Sequence, residues 1–101
     1  MENHPSSKDA KISVRFFGSD DCQKCLLMRK EFEIAGIIYN YVDIIAEDMQ
    51  KLCDDNKVNE VPLVQVLNNN LVVLEIVGYI NAIDINRYMR DARKFLPPSL
   101  R

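Results

Sequence analysis

The chain has 101 residues, 48% of them hydrophobic and 28% charged, enough for one buried core and too few for two domains. A formal net charge of −2 provides no broad positive field to hold nucleic acid or an anionic membrane. The opening MENHPSSKDAK lacks the apolar core of a signal peptide, and no run approaches the roughly 18 apolar residues of a membrane span. The expectation is a cytoplasmic monomer without nucleic-acid or membrane partners. Three cysteines cannot close into a set of disulfides, and a close pair in a reducing compartment points to redox or metal chemistry.

Residues 1–10 are polar and interrupted by Pro5, Ser6 and Ser7, so a flexible tail is expected there and a single domain over 11–101. In KISVRFF, Ile12, Val14 and Phe16 alternate with Ser13 and Arg15, the period of a strand with one buried face; Gly18 and Ser19 end it. From Gln23 to Ala35 the spacing lengthens. Cys25, Met28, Phe32 and Ala35 form one helical seam, and Gly36 supplies the stop. IIYNYVDII is β-branched and aromatic and reads as a second strand. AEDMQKLCDDNK reads as a shorter helix with Met49, Leu52 and Cys53 on its apolar side.

VPLVQVL and LVVLEIV are strand runs joined by Asn68 to Asn70, and asparagine tolerates the left-handed backbone that hairpin turns need. A last helix places Ile85, Tyr88, Met89, Ala92 and Leu96 on one face, until Pro97 and Pro98 end it. The order β-α-β-α-β-β-α predicts an α/β fold with a mixed four-stranded sheet. The two early β-α-β steps are expected to run parallel and the closing hairpin antiparallel.

Cys22 and Cys25 fall where the first strand breaks and the first helix begins. A helix start presents unpaired amide donors, which favour a thiolate on Cys22, whereas Cys25 heads the apolar seam. One exposed and one covered thiol suit disulfide exchange: the first attacks, the second resolves. The same spacing also serves zinc, but Cys53 and His4 are the remaining soft ligands, one on a helix's apolar side and one in the tail. Cys53 reads as a small apolar filler. Lys24 favours a thiolate while Asp20 and Asp21 oppose one, and all three also fit a solvated surface.

CQKC after a first strand, EVP before a later strand and VGYI ahead of the last helix together resemble the thioredoxin/glutaredoxin superfamily. The resemblance extends from Lys11 to Leu96 and implies a thioredoxin-like fold of glutaredoxin size. It implies that Cys22 is the nucleophile and Cys25 the resolving thiol, with the Val61–Pro62 peptide bond cis and lying against them. It further implies that the backbone of Val61 pairs with substrate, with Gly78 and Lys24 beside it. The sulfurs carry both electrons, so no cofactor is required. The implied partners are disulfide-bearing proteins, with a reductase or glutathione as electron donor. The alternative is a non-catalytic module of the same fold that binds a partner or a metal through this surface.

Overall fold

The computed structural model describes residues 11–94. The expectations for the tail over 1–10, with His4, and for Leu96, Pro97 and Pro98 lie outside the described residues. Within them the elements follow the expected order. Strand β1 spans Ile12–Gly18, helix α1 Gln23–Ile34 and strand β2 Asn40–Asp43. A 3₁₀ turn at Glu47–Met49 leads into α2, Gln50–Asp55; β3 is Leu63–Asn68, β4 Leu71–Val77 and α3 Ala82–Ala92.

Helix α1 buries Cys25, Met28 and Phe32, but Ala35 is exposed and serves as the C-cap rather than a seam residue. The chain reverses immediately after it. Gly36, at φ +75°, donates its N–H to the Glu33 carbonyl (3.1 Å), and Ile37 donates to the Phe32 carbonyl (2.8 Å). These two bonds form a Schellman motif, which satisfies carbonyls at the helix end. Ile37 is thereby drawn into the core as part of the helix stop, so β2 is shorter than its β-branched run suggested.

The sheet order is β2-β1-β3-β4. Strands β1 and β2 are parallel, as expected, but β3 runs antiparallel to β1 and does not neighbour β2. The expected second parallel step is therefore corrected. With six residues, α2 advances the chain only about 9 Å. It therefore leaves the chain at the end of the sheet where β2 finished, Gly18 facing Asp43 and Phe17 facing Leu63. From that end, β3 can only run back. The β3–β4 hairpin turns through Asn69 and Asn70, both at positive φ, while Asn68 belongs to β3. Its side chain donates to the Ala92 carbonyl at 3.1 Å, where α3 ends before the prolines are reached.

Alternation divides the core between two faces. Val14, Phe16, Val64 and Val66 pack with Cys25, Met28, Phe32 and Ile85 from α1 and α3. Phe17, Val42 and Leu63 pack with Cys53 of α2. On the α2 face a polar row crosses three strands. Gln65 is buried, accepts from Arg15 (3.0 Å), and donates to Asn56 (3.0 Å) and Glu75 (2.9 Å), so its amide is fully engaged. Between Val66 and Leu67 the register with β4 shifts, leaving Val73 as a bulge.

Gly36→Ala is expected to cost about 1–2 kcal/mol, because nothing crowds a Cβ there and the penalty is the left-handed backbone alone. Gly36→Asn should cost less. Urea denaturation of the three proteins measures the order.

Candidate active site

Cys22 is the N-cap of α1. Its extended backbone (φ −94°, ψ 106°) lets the Sγ turn back and accept the N–H of Cys25 at 3.1 Å. A sulfur here occupies the place that serine or aspartate takes at helix starts, and negative charge on it faces the positive end of the helix. Cys22 and Cys25 are disulfide-bonded, with Cα atoms 5.1 Å apart. Cys22 is half-buried and Cys25 is 0% exposed, the asymmetry that the helical seam predicted.

Gly18 explains how Cys25 sinks so deep. A Cβ at this position would lie 3.1 Å from the Sγ of Cys25 and equally close to ring atoms of Phe16 and Tyr41. Those three side chains converge on the space that glycine leaves free. In sequence Gly18 read only as a strand end; an apolar strand ending in glycine just before a cysteine pair was the available signal.

The Val61–Pro62 bond is cis, and Pro62 is buried. Val61 and Cys22 both pack against the cluster that contains Cys25. Gly78, at φ +97°, donates its N–H to the Pro62 carbonyl at 2.8 Å, so the turn after β4 is tied to the proline turn. Lys24 lies exposed on α1. Asp20 turns toward Arg29 at 3.9 Å, and Asp21 is exposed.

Two tyrosines flank Arg29 of α1. Arg29 stacks over the Tyr41 ring, 3.8 Å from its centroid, and donates to the Tyr39 hydroxyl, which in turn donates to Glu33. That bond to Tyr39 holds the Arg29 guanidinium above its ordinary pKa, and burial raises Tyr39 and Tyr41 above theirs. Neither tyrosine was singled out from the sequence, since both fitted the β-branched and aromatic composition of a strand. Tyr79, next to Gly78, donates to Glu31 of α1, and this bond raises its pKa.

Cys53 is buried among Phe17, Val42 and Leu63, and burial raises its thiol pKa, in keeping with a packing role. Among the described residues no group of three His, Cys, Asp or Glu converges as metal ligands, and no helix is long and apolar enough to cross a membrane.

No protein-family model and no curated protein matches the sequence. Solved structures do. A thioredoxin variant from Halobacterium salinarum superposes with a TM-score of 0.74 at 18% identity, covering 88% of this chain and 80% of that one. The chain has the thioredoxin fold. Thioredoxin-2 of the malaria parasite, described as a component of its protein secretion machinery, gives 0.70 at 19% identity over 81% of this chain and 84% of its own. The short form of spinach chloroplast thioredoxin f gives 0.69 at 21%, over 89% and 83%. The thioredoxin-like fold expected from the sequence thus holds in the architecture, and the two cysteines of the expected pair are joined.

Gly18→Ala is expected to destabilise the oxidised protein by about 1–3 kcal/mol, because the added methyl overpacks a point shared by Cys25, Phe16 and Tyr41. Denaturant unfolding without reductant checks it. A neutral result would mean that the three side chains yield freely.

Proposed function

We infer that the chain is a thiol–disulfide oxidoreductase that reduces or exchanges disulfides of protein substrates. The observation that carries this reading is the sulfur of Cys22 serving as the N-cap of α1 while its partner lies buried. In the reduced protein, the amide donors at the helix start favour a Cys22 thiolate. That thiolate attacks one sulfur of a substrate disulfide. A Cys22–substrate bond forms, and the other substrate sulfur leaves as a thiolate. Cys25, deprotonated, then attacks the Cys22 sulfur; the Cys22–Cys25 bond forms and the second substrate sulfur leaves with its electron pair. Two electrons pass to the substrate, and an external donor must restore the dithiol.

Val61 presents its backbone to the substrate chain in this reading, with Pro62 and Gly78 fixing the turn and Lys24 at its rim. Ile45 and Val77 lie exposed at the sheet end that carries Cys22, an apolar surround suited to a polypeptide. The concavity between β4 and α3, lined by Val73, Leu74, Tyr88 and Ala92 with the charged Asp91 and Lys94, has no wall from the cysteine pair. A macromolecular substrate is therefore favoured over a pocketed small molecule. The unit proposed to act is the single domain over 11–101, working in the cytoplasm.

Cys25→Ser should accumulate a reductant-sensitive mixed disulfide through Cys22 with protein substrates, and Cys22→Ser should trap little. Mass spectrometry of captured complexes reads the difference. Equal retention by both variants, without release by reductant, would establish the non-catalytic binding module instead.

For the electron donor, a reductase is proposed over glutathione. A complex of thioredoxin f2 with ferredoxin:thioredoxin reductase is among the similar folds, with a TM-score of 0.70. Tyr79, held to Glu31, stands beside Gly78 where glutaredoxins carry a second glycine. Turnover with a thioredoxin-reductase system should exceed turnover with glutathione and its reductase. The reverse ranking in a coupled assay would assign the donor to glutathione.

A further inference from the structure

Resolution requires Cys25 to become a thiolate inside the core, and burial opposes that charge. Phe16, Met28 and Phe32, in the same cluster, offer it no hydrogen bond. Tyr41 brings a polar atom to this apolar setting. It pairs with Phe16 across the parallel strands, and its ring reaches the point at Gly18 where the Cys25 sulfur also arrives. Its hydroxyl oxygen is buried and feels the Arg29 side chain, which can only donate, so the hydroxyl proton has no acceptor among the described residues. Such a group is unusual in a native core and asks for a role. The neighbouring Tyr39 hydroxyl, by contrast, is engaged with both Arg29 and Glu33.

Three charged groups act on Tyr41: Arg29 from α1, Asp20 from the turn before it, and Asp43 from β2. Arg29 lies on the face of the ring and attracts the π-system electrostatically. Burial, the strongest influence, keeps the phenol above its ordinary pKa. It is therefore a donor at neutral pH and not a base.

We propose that the Tyr41 hydroxyl donates a hydrogen bond to the Cys25 thiolate once the Cys22–Cys25 bond is open, which makes Tyr41 a catalytic residue of the resolving step. This rests on the exchange reading and deepens it. The Cys25 proton passes to solvent; the thiolate attacks the Cys22 sulfur, the Cys22–Cys25 bond forms, and the bond from Cys22 to substrate breaks. The substrate sulfur leaves as a thiolate and takes a proton from solvent. Tyr41 keeps its proton throughout. In the disulfide state there is no thiolate to receive the bond, and the hydroxyl proton has no acceptor among the described residues, as observed.

The test is stopped-flow reaction of the reduced protein with the chromogenic disulfide dithiobis-nitrobenzoate. The first equivalent of coloured thiolate reports attack by Cys22, the second resolution by Cys25. Tyr41→Phe keeps the ring and removes the hydroxyl alone. The first phase should be unchanged, while the second slows about tenfold at neutral pH and its pH midpoint rises by about one pH unit. The melting temperature of the oxidised variant should equal or exceed that of the unaltered protein, since a buried orphan is removed. An unchanged second phase, or equal slowing of both, would overturn the proposal. Absence of a second equivalent from the unaltered protein would instead overturn the exchange reading itself, and the proposal with it.

Discussion

The close approach at Gly18 is the constraint on which the rest of the structure depends. Because β1 ends without a side chain, the Cys25 sulfur can descend against Phe16 and Tyr41, and α1 can pack with its first turn already in the core. Cys22, three residues earlier, is then left at the helix start as its cap. Two chemically identical side chains thus acquire different solvation from one missing methyl group. Desolvation penalises charge on one sulfur, and the amide end of the helix rewards it on the other.

Much of this was legible in the residues. Spacing and composition located seven elements, and the cysteine pair fell at a strand-to-helix junction as the pattern required. The polarity of β3 was not legible, because it depends on how far α2 carries the chain, and a short amphipathic run does not state its own length. Ala35 matched the seam by spacing but sits in the helix stop, where Gly36 and Ile37 close the last turn. The cis bond at Pro62 came through resemblance alone. The setting of Tyr41 was invisible: a tyrosine in an aromatic strand carries no sign that its hydroxyl will be buried without an acceptor.

The two faces of the sheet divide the work. The α1 and α3 side is mostly apolar and holds the Cys22–Cys25 pair, whereas the α2 side admits the Arg15–Gln65–Glu75 row with Asn56. A buried amide costs little when each of its groups is matched, and a row of matched pairs aligns three strands. Registration of the central strands is therefore specified by polar contacts on the face remote from the chemistry. The face that holds Cys22 and Cys25 is left to apolar packing.

The bulge at Val73 has a consequence for how the protein meets copies of itself. A sheet with two free margins invites further strands, and continuous pairing of that kind leads to aggregation. Here one margin, β2, offers only four residues, while the other, β4, is interrupted at Val73 and carries the charge of Glu75 two positions later. An incoming strand would meet a ladder too short on one side and broken on the other. Irregularity at the margins thereby opposes edge-to-edge pairing between copies of the chain.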